Sequence, residues 1–361
     1  MRIVTRPDFD GIVCAVLILE AENASPSVKW VSPGDMQKGN IDIRQGDIIA
    51  NLPYHPSCTL WFDHHFSNRI RHKTPGLFEI APSAAGLVFK YYQDKLQKDF
   101  TELVAETDKI DSANLSLDEI LTPEKYPFVL LSMTLQDHNP LEELFWNRVV
   151  DLLRQKEIAA ILADSEVRKR AKTVIHENIS YQALLEKHTL LVEQVAISDF
   201  RDLDNLPYGN RFLVYSMFPE AVVSVKIGYE DHRKEKVIVK VGRSIFNKNC
   251  RVNVGQMLSY FDGGGHKGAG ACSFPVEKIE EYLPKIIDIL KKNEPEGSIV
   301  VKVSRREQDR RGSSDRRESS SGTPSLEGTP ERRNKEQRTS IEQRKDWKKT
   351  KAWNSVKIKE P

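Results

Sequence analysis

The chain is poor in cysteine. Its four, Cys14, Cys58, Cys250 and Cys272, lie far apart and form no Cys-x-x-Cys pair. That spacing argues against a disulfide framework or a zinc knuckle and fits a reducing compartment. Long apolar runs are missing too. The longest, IVCAVLIL at residues 12–19, is far short of the roughly 20 residues that cross a bilayer. No basic n-region followed by an apolar h-region opens the sequence, and MRIV reads at once as strand. A cytoplasmic, soluble protein with no membrane span is expected. Charge of one sign is also scarce: 54 Lys and Arg stand against 52 Asp and Glu, a net of +2, which by itself names no partner.

What is present is unevenly spread. Residues 304–361 carry 17 Lys and Arg against 10 Asp and Glu, so a mildly acidic body of 303 residues precedes a basic tail. The tail has few apolar residues and no period that builds a core, so disorder is expected there. With Trp347 and Trp353 it offers a contact to nucleic acid or an anionic surface. The whole chain is 361 residues and 39% hydrophobic, enough for one large or two ordinary domains.

Along the body, strands alternate with helices. RIVT reads as strand, IVCAVLILEAE as a buried helix, and SVKWVS, GDIIANLP and TLWFDHH as strands before the helical SAAGLVFKYYQDKL. The pattern argues for an α/β unit with a parallel sheet, whose ligands gather at the carboxyl ends of the strands. Residues 141–195 read as two helices. A second strand-rich stretch follows, HTLLVEQVAIS, RFLVYSMFP, AVVSVKIGYE and EKVIVKVGRS, and then the amphipathic VEKIEEYLPKIIDILKK.

Five stretches could carry chemistry. In RPDFDG, Asp8 and Asp10 stand two apart between strand and helix, where two carboxylates can grip a hard cation; alone, such a pair reads as a turn. Asp63-His64-His65 follows an apolar strand, and imidazole beside carboxylate suits Mn²⁺, Mg²⁺, Fe²⁺ or Zn²⁺. ETDKIDSAN holds Asp108 and Asp111 and, standing alone, reads as a capped loop. DGGGHKGAGA formally matches G-x-G-x-x-G, but ACSF follows it as strand, not helix, and Lys267 precedes Gly and Ala, so neither a dinucleotide fingerprint nor a Walker loop results. Its dense glycine lets backbone approach an anion, with His266 and Lys267 as donor and charge. Arg243-Ser244 ends a strand, and an arginine there suits a phosphate or is simply exposed.

In this order the motifs resemble the DHH phosphoesterase superfamily, with RPDFDG, ANLP, FDHH and DKIDSA in an N-terminal DHH domain and GRS and GGGHKGAGA in a DHHA1 domain, over residues 1–295. The exopolyphosphatase-related and oligoribonuclease-like branches look nearest. The resemblance implies a parallel-sheet DHH domain at 1–160, a helical linker at 161–190, a smaller α/β DHHA1 substrate-binding domain at 191–297, an active cleft between the two domains, and the tail at 304–361. It implies one or two Mn²⁺ or Mg²⁺ ions held by Asp8, Asp10, His64 and Asp111, with Asp108 the alternative to Asp111 and Asn51 a weaker ligand. His65 faces the phosphate or its attacking water, with Asp63 in support. Arg243, Ser244, Gly263, Gly264, Gly265, His266, Lys267 and Gly268 hold the substrate. Two positions depart from the family layout: Val4 stands where many members have a ligand histidine, and Asn51 where an aspartate bridges two metals.

The implied activity is hydrolysis of a phosphodiester or phosphoanhydride by metal-activated water, on a short oligonucleotide, a cyclic dinucleotide or polyphosphate. The alternative is a catalytically degenerate sensor of nucleotide or phosphate. The acidic body favours a small substrate over a long nucleic-acid track. A homodimer is compatible with the sequence but not required by it.

Overall fold

The computed structural model describes residues 1–22, 26–135 and 139–295. The basic tail lies outside them. The chain divides into two compact units, the first running from Met1 to Cys250 and the second from Arg251 onward.

The first unit begins with strands β1 (Arg2–Thr5), β2 (Ser27–Trp30), β3 (Ile48–Ala50), β4 (Leu60–Asp63) and β5 (Gly76–Phe78), all parallel, in the order β2-β1-β3-β4-β5. Side chains alternate between its faces, as a pleated strand demands. Ile3, Ile48, Ala50 and Phe62 enter one core, and Val4, Ile49 and Trp61 enter the other. Burial on both faces is what a parallel sheet requires.

Helix α1 (Phe9–Ala21) fills the larger core and is buried nearly all round, as its unbroken apolar sequence predicts. Helix α2 (Pro33–Lys38) is a short connector. Helices α3 (Ala84–Tyr92), α4 (Thr101–Asp111), α5 (Leu117–Leu121), α6 (Pro127–Met133), α7 (Glu143–Gln155), α8 (Ile158–Ala163) and α9 (Ser165–His188) follow. The 141–195 stretch therefore holds three helices, not two. Asp164 makes the extra break by leaving the helix and accepting N–H groups of Glu166 and Val167 at the start of α9. Asp108 and Asp111 lie on the last turn of α4, so their stretch is helix rather than loop.

A mixed sheet then forms from β6 (Thr189–Val192), β7 (Val195–Asp199), β8 (Val223–Tyr229) and β9 (Lys236–Arg243), with β7 and β8 parallel and the outer pairings antiparallel. RFLVYSMFP is not a strand. It holds helix α10 (Leu213–Met217), whose Leu213, Val214 and Tyr215 are buried against Tyr181, Leu185 and Phe200. The Tyr215 hydroxyl donates to the Gly242 carbonyl at 2.5 Å. Those tertiary contacts override the β-propensity of its aromatic and branched residues.

The second unit holds α11 (Val254–Ser259), the hairpin β10 (Gly263–Gly265) and β11 (Ala269–Pro275), and α12 (Ile279–Lys292). Tyr282 of α12 packs edge-on against Phe261 and Phe274. All four cysteines are free thiols. No described helix is long and apolar enough to cross a membrane.

Candidate metal centre

Three strand ends of the parallel sheet deliver the site. After β1 the chain turns into α1 so tightly that a side chain on Gly11 would sit 1.9 Å from the Arg6 carbonyl oxygen; only glycine permits the approach. Asp8 caps α1, its Oδ1 accepting from the Gly11 N–H at 2.9 Å. After β3, Asn51 takes a left-handed conformation (φ 55°), which asparagine tolerates better than most residues. β4 ends in Asp63, and His64 and His65 follow it.

Asp10 is buried, and main chain holds it. Its Oδ2 accepts from the Ala84 N–H at 3.0 Å and its Oδ1 from the Ala85 N–H at 2.7 Å, at the N-terminus of α3. A helix start is a ready seat for an anion. Burial, and then the neighbouring Asp8 charge, nevertheless push the Asp10 carboxyl up to about 7.

His64 Nδ1 lies 2.9 Å from the Ala81 carbonyl oxygen. A carbonyl can only accept, so Nδ1 carries the proton and Nε2 is left with a lone pair. That Nε2 is buried, makes no hydrogen bond, and lies 3.8 Å from Asp10 Oδ2 and 3.4 Å from Asp111 Oδ2. The ligand atoms of Asp10, His64 and Asp111 all lie within 4.8 Å of one another. Burial, then Asp10 and Asp8, also push Asp111 up to about 7. Once both carboxyls are ionised, three acceptors crowd together with no donor among them. A hard or borderline divalent cation fits this set, because it converts mutual repulsion into coordination. The carbonyl partner on Nδ1 is the support that metal-ligating histidines usually have.

Asp63, His64 and His65 form a second close triplet, but Asp63 is already spent. Its Oδ1 accepts from the His64 N–H, the His65 N–H and His65 Nδ1 at 2.8 Å, and its Oδ2 from Asn68 Nδ2 at 2.6 Å. Asp63 thus orients the loop and fixes the His65 tautomer. Burial works against charge on His65, but the Asp63 hydrogen bond and charge outweigh it and hold the pKa above the ordinary histidine value.

The alternative between Asp108 and Asp111 separates in space. Asp108 Oδ1 accepts from the Ser83 hydroxyl at 2.5 Å, and Ser83 in turn caps α3. Asp111, one helical turn on, reaches His64. Asn51 Nδ2 donates to Asp8 Oδ1 at 2.9 Å, while its Oδ1 is buried without a hydrogen-bond partner. Val4 lies in the apolar core beside Ile49 and Trp61 and offers no ligand.

Sequence reading missed Arg6, Ala81, Ser83, Asn68 and the two α3 amides. Ser83 had a signal, the capping serine ahead of a helical run. The amides had none, because every residue but proline has one.

Elsewhere in the first unit, Arg243 ends β9, and Ser244 is buried with its Oγ accepting from the N–H groups of Phe246 and Asn247. In the second unit, Gly263–Gly265 form β10, and His266, Lys267 and Gly268 make the turn into β11. The His266 and Lys267 carbonyls accept from the N–H groups of Gly255 and Val254, so the first amides of α11 are occupied by this turn. Side chains added at Gly264 or Gly268 would meet nothing within 4 Å.

No protein-family model and no curated protein matches the chain. Solved structures do. The pGpG-specific phosphodiesterase PggH from Vibrio cholerae superposes with a TM-score of 0.71 and 28% identity, over 81% of this chain and 99% of that one. An exopolyphosphatase-related protein from Bacteroides fragilis aligns at 0.45 and 11%, over 80% of this chain and 91% of its own. RecJ from Thermus thermophilus, in complex with Mn²⁺, aligns at 0.49 and 14%, over 81% and 52%. A fold shared along almost the whole of a phosphodiesterase, wrapped around an Asp-His-His triplet at a strand end, makes this chain a member of the DHH phosphoesterase superfamily.

Proposed function

We propose that the protein is a divalent-metal-dependent phosphodiesterase acting on short linear dinucleotides of the pGpG kind. The observation that carries the chemistry is the buried, unpartnered Nε2 of His64 facing Asp10 and Asp111. The similarity to a pGpG-specific enzyme supports the substrate class, and the mildly acidic body agrees with a small substrate over a long strand.

Asp10, His64 and Asp111 would hold the ion, Mn²⁺ or Mg²⁺ by its oxygen-rich surroundings. When bound, such an ion lowers the pKa of a water and withdraws charge from a phosphoryl oxygen. The chain's own residues do the rest. The α3 amides keep Asp10 from swinging. Asp63 holds the His65 proton on Nδ1, so that Nε2 can accept from the attacking water or, in the imidazolium form that Asp63 favours, donate to a phosphoryl oxygen. As the water oxygen bonds to phosphorus, its proton passes to His65 or solvent, the bond to the bridging oxygen breaks, and that oxygen leaves with a proton taken from solvent. The glycine-rich turn with His266 and Lys267, and Arg243, are the proposed substrate contacts, with Ser244 shaping the loop after Arg243.

The test is turnover by Mn²⁺-loaded protein of pGpG, longer oligonucleotides, cyclic dinucleotides and polyphosphate, in parallel. Preferential cleavage of pGpG to mononucleotide is expected. Polyphosphate cleavage alone would move the protein to the exopolyphosphatase-like reading. A second reading, a nucleotide sensor, is favoured by one observation: Asn51 turns an amide donor, not a carboxylate, toward Asp8. Retained pGpG binding with no turnover under any divalent ion would establish the sensor.

A further inference from the structure

The site has two halves of opposite hydrogen-bonding character. In one, Asp10, His64 and Asp111 bring only acceptors together once the carboxyls are ionised, and His64 Nε2 makes no hydrogen bond. In the other, donors surround Asp8. Its Oδ1 accepts from the Gly11 N–H and from Asn51 Nδ2, both at 2.9 Å, and its Oδ2 pairs with Arg6 Nε at 2.9 Å. A carboxylate already facing a backbone amide, a side-chain amide and a guanidinium is a poor cation ligand. A metal there would have to displace the Arg6 charge or tolerate it at close range. On β1, Val4 is buried in apolar core and offers no ligand, and the Thr5 hydroxyl donates to the Gly11 carbonyl at 3.2 Å. The Asp8 charge is felt at both Asp10 and Asp111, so the two halves are electrostatic neighbours.

Phosphoryl transfer needs positive charge on more than one oxygen. A guanidinium is charged at every working pH and carries five N–H donors in a fork suited to phosphate. Arg6 is about a third exposed, at 32%. The tight turn at Gly11 fixes the backbone from which it reaches Asp8.

We propose that Arg6, seated by Asp8 and Asn51, takes the place of a second metal ion, so that the protein works with one divalent cation and one guanidinium facing the substrate phosphate. This rests on the phosphodiesterase reading for its substrate, but not for its metal count.

The experiment measures manganese per full-length chain by mass spectrometry after loading and desalting, together with the electron paramagnetic resonance spectrum. The wild type is expected to hold one ion and give the six-line signal of isolated Mn²⁺. The double variant Arg6→Ala/Asn51→Asp, which removes the donors and adds a carboxylate, is expected to hold two and give an exchange-coupled spectrum. Arg6→Lys, which keeps the charge, should stay at one ion and recover part of the pGpG turnover that Arg6→Ala lowers by about 100-fold or more. Two tight ions in the wild type, or a folded double variant that stays at one, overturns the proposal. Should the double variant not fold, the wild-type count and the Arg6→Lys rescue still decide it. One ion without turnover of any phosphodiester would defeat the functional reading and leave this one standing. Two ions with turnover would do the reverse.

Discussion

The acid–imidazole cluster of the first unit and the glycine-rich hairpin of the second are built on opposite principles. The cluster works through side chains, each locked by something else: Asp10 by two amides, His64 by a carbonyl, His65 by Asp63. The hairpin works through the lack of side chains. Gly255 of α11 lies so close to it that a Cβ would sit 2.2 Å from the Gly265 carbonyl oxygen, whereas Gly264 and Gly268 have open space where a Cβ would go. In the proposed function, the cluster would supply the chemistry and the open space at Gly264 and Gly268 would let substrate approach.

The comparison breaks most sharply at His64. Replacing it with alanine should remove tight Mn²⁺ binding and lower turnover by about 1,000-fold or more, since the remaining carboxylates then repel without a neutral ligand between them. Calorimetric titration with Mn²⁺ and steady-state kinetics on pGpG report both losses. Unchanged Mn²⁺ affinity would dissolve the cluster as a metal centre.

Next comes Gly255→Ala. Its new methyl meets backbone rather than a flexible side chain, so the folded state should lose about 1–3 kcal/mol, visible as a lower urea midpoint. Metal binding in the first unit should survive.

Asp63→Asn keeps the size but loses the anionic partner of His65 Nδ1. A fall of about 10–100-fold in kcat is expected, with Mn²⁺ affinity less affected because His64 is held by Ala81 instead. Equal loss of both would mean that Asp63 itself ligates.

The cluster also has a pH signature. Asp10 and Asp111 keep their protons up to about pH 7 in the folded, metal-free chain, but release them near pH 4 when unfolded. Between those values the folded chain binds more protons, so this contribution to stability falls as pH rises from about 4 to about 7. Thermal melts in chelator should show the fall, Asp111→Asn should flatten it, and Mn²⁺ should restore stability at pH 8. A profile identical in wild type and Asp111→Asn would contradict it.

The smallest expected change in stability is at Gly264→Ala, under about 0.5 kcal/mol, because nothing lies where its methyl goes. If the hairpin admits substrate by lacking side chains, KM for pGpG should still rise. Unchanged KM would show that the second comparison point is scaffold alone.

The parallel sheet was legible because β1, β3 and β4 each end in a turn that also carries a motif, and β2 has an apolar alternation of its own. β5 was not, being three residues of ordinary composition. Helix α10 was hidden because its buried Leu213, Val214 and Tyr215 look like strand until the core that receives them exists. At the site, DHH and Asp-x-Asp could be read as ligands by type. Choosing Asp111 over Asp108 required knowing where α3 begins, since its capping Ser83 claims the latter. Arg6 escaped notice because a basic residue two before an acidic one means little until the turn at Gly11 folds it back.

The hold on Asp10 has a consequence for how the protein can change over time. The groups that grip this carboxylate are peptide N–H groups of residues 84 and 85, and no substitution other than proline deletes a peptide N–H. Alanines at both positions can be exchanged for other small residues without touching the grip. A lineage could therefore alter the rim of the pocket, and with it the guest, while one anchor stays outside the reach of almost every point mutation.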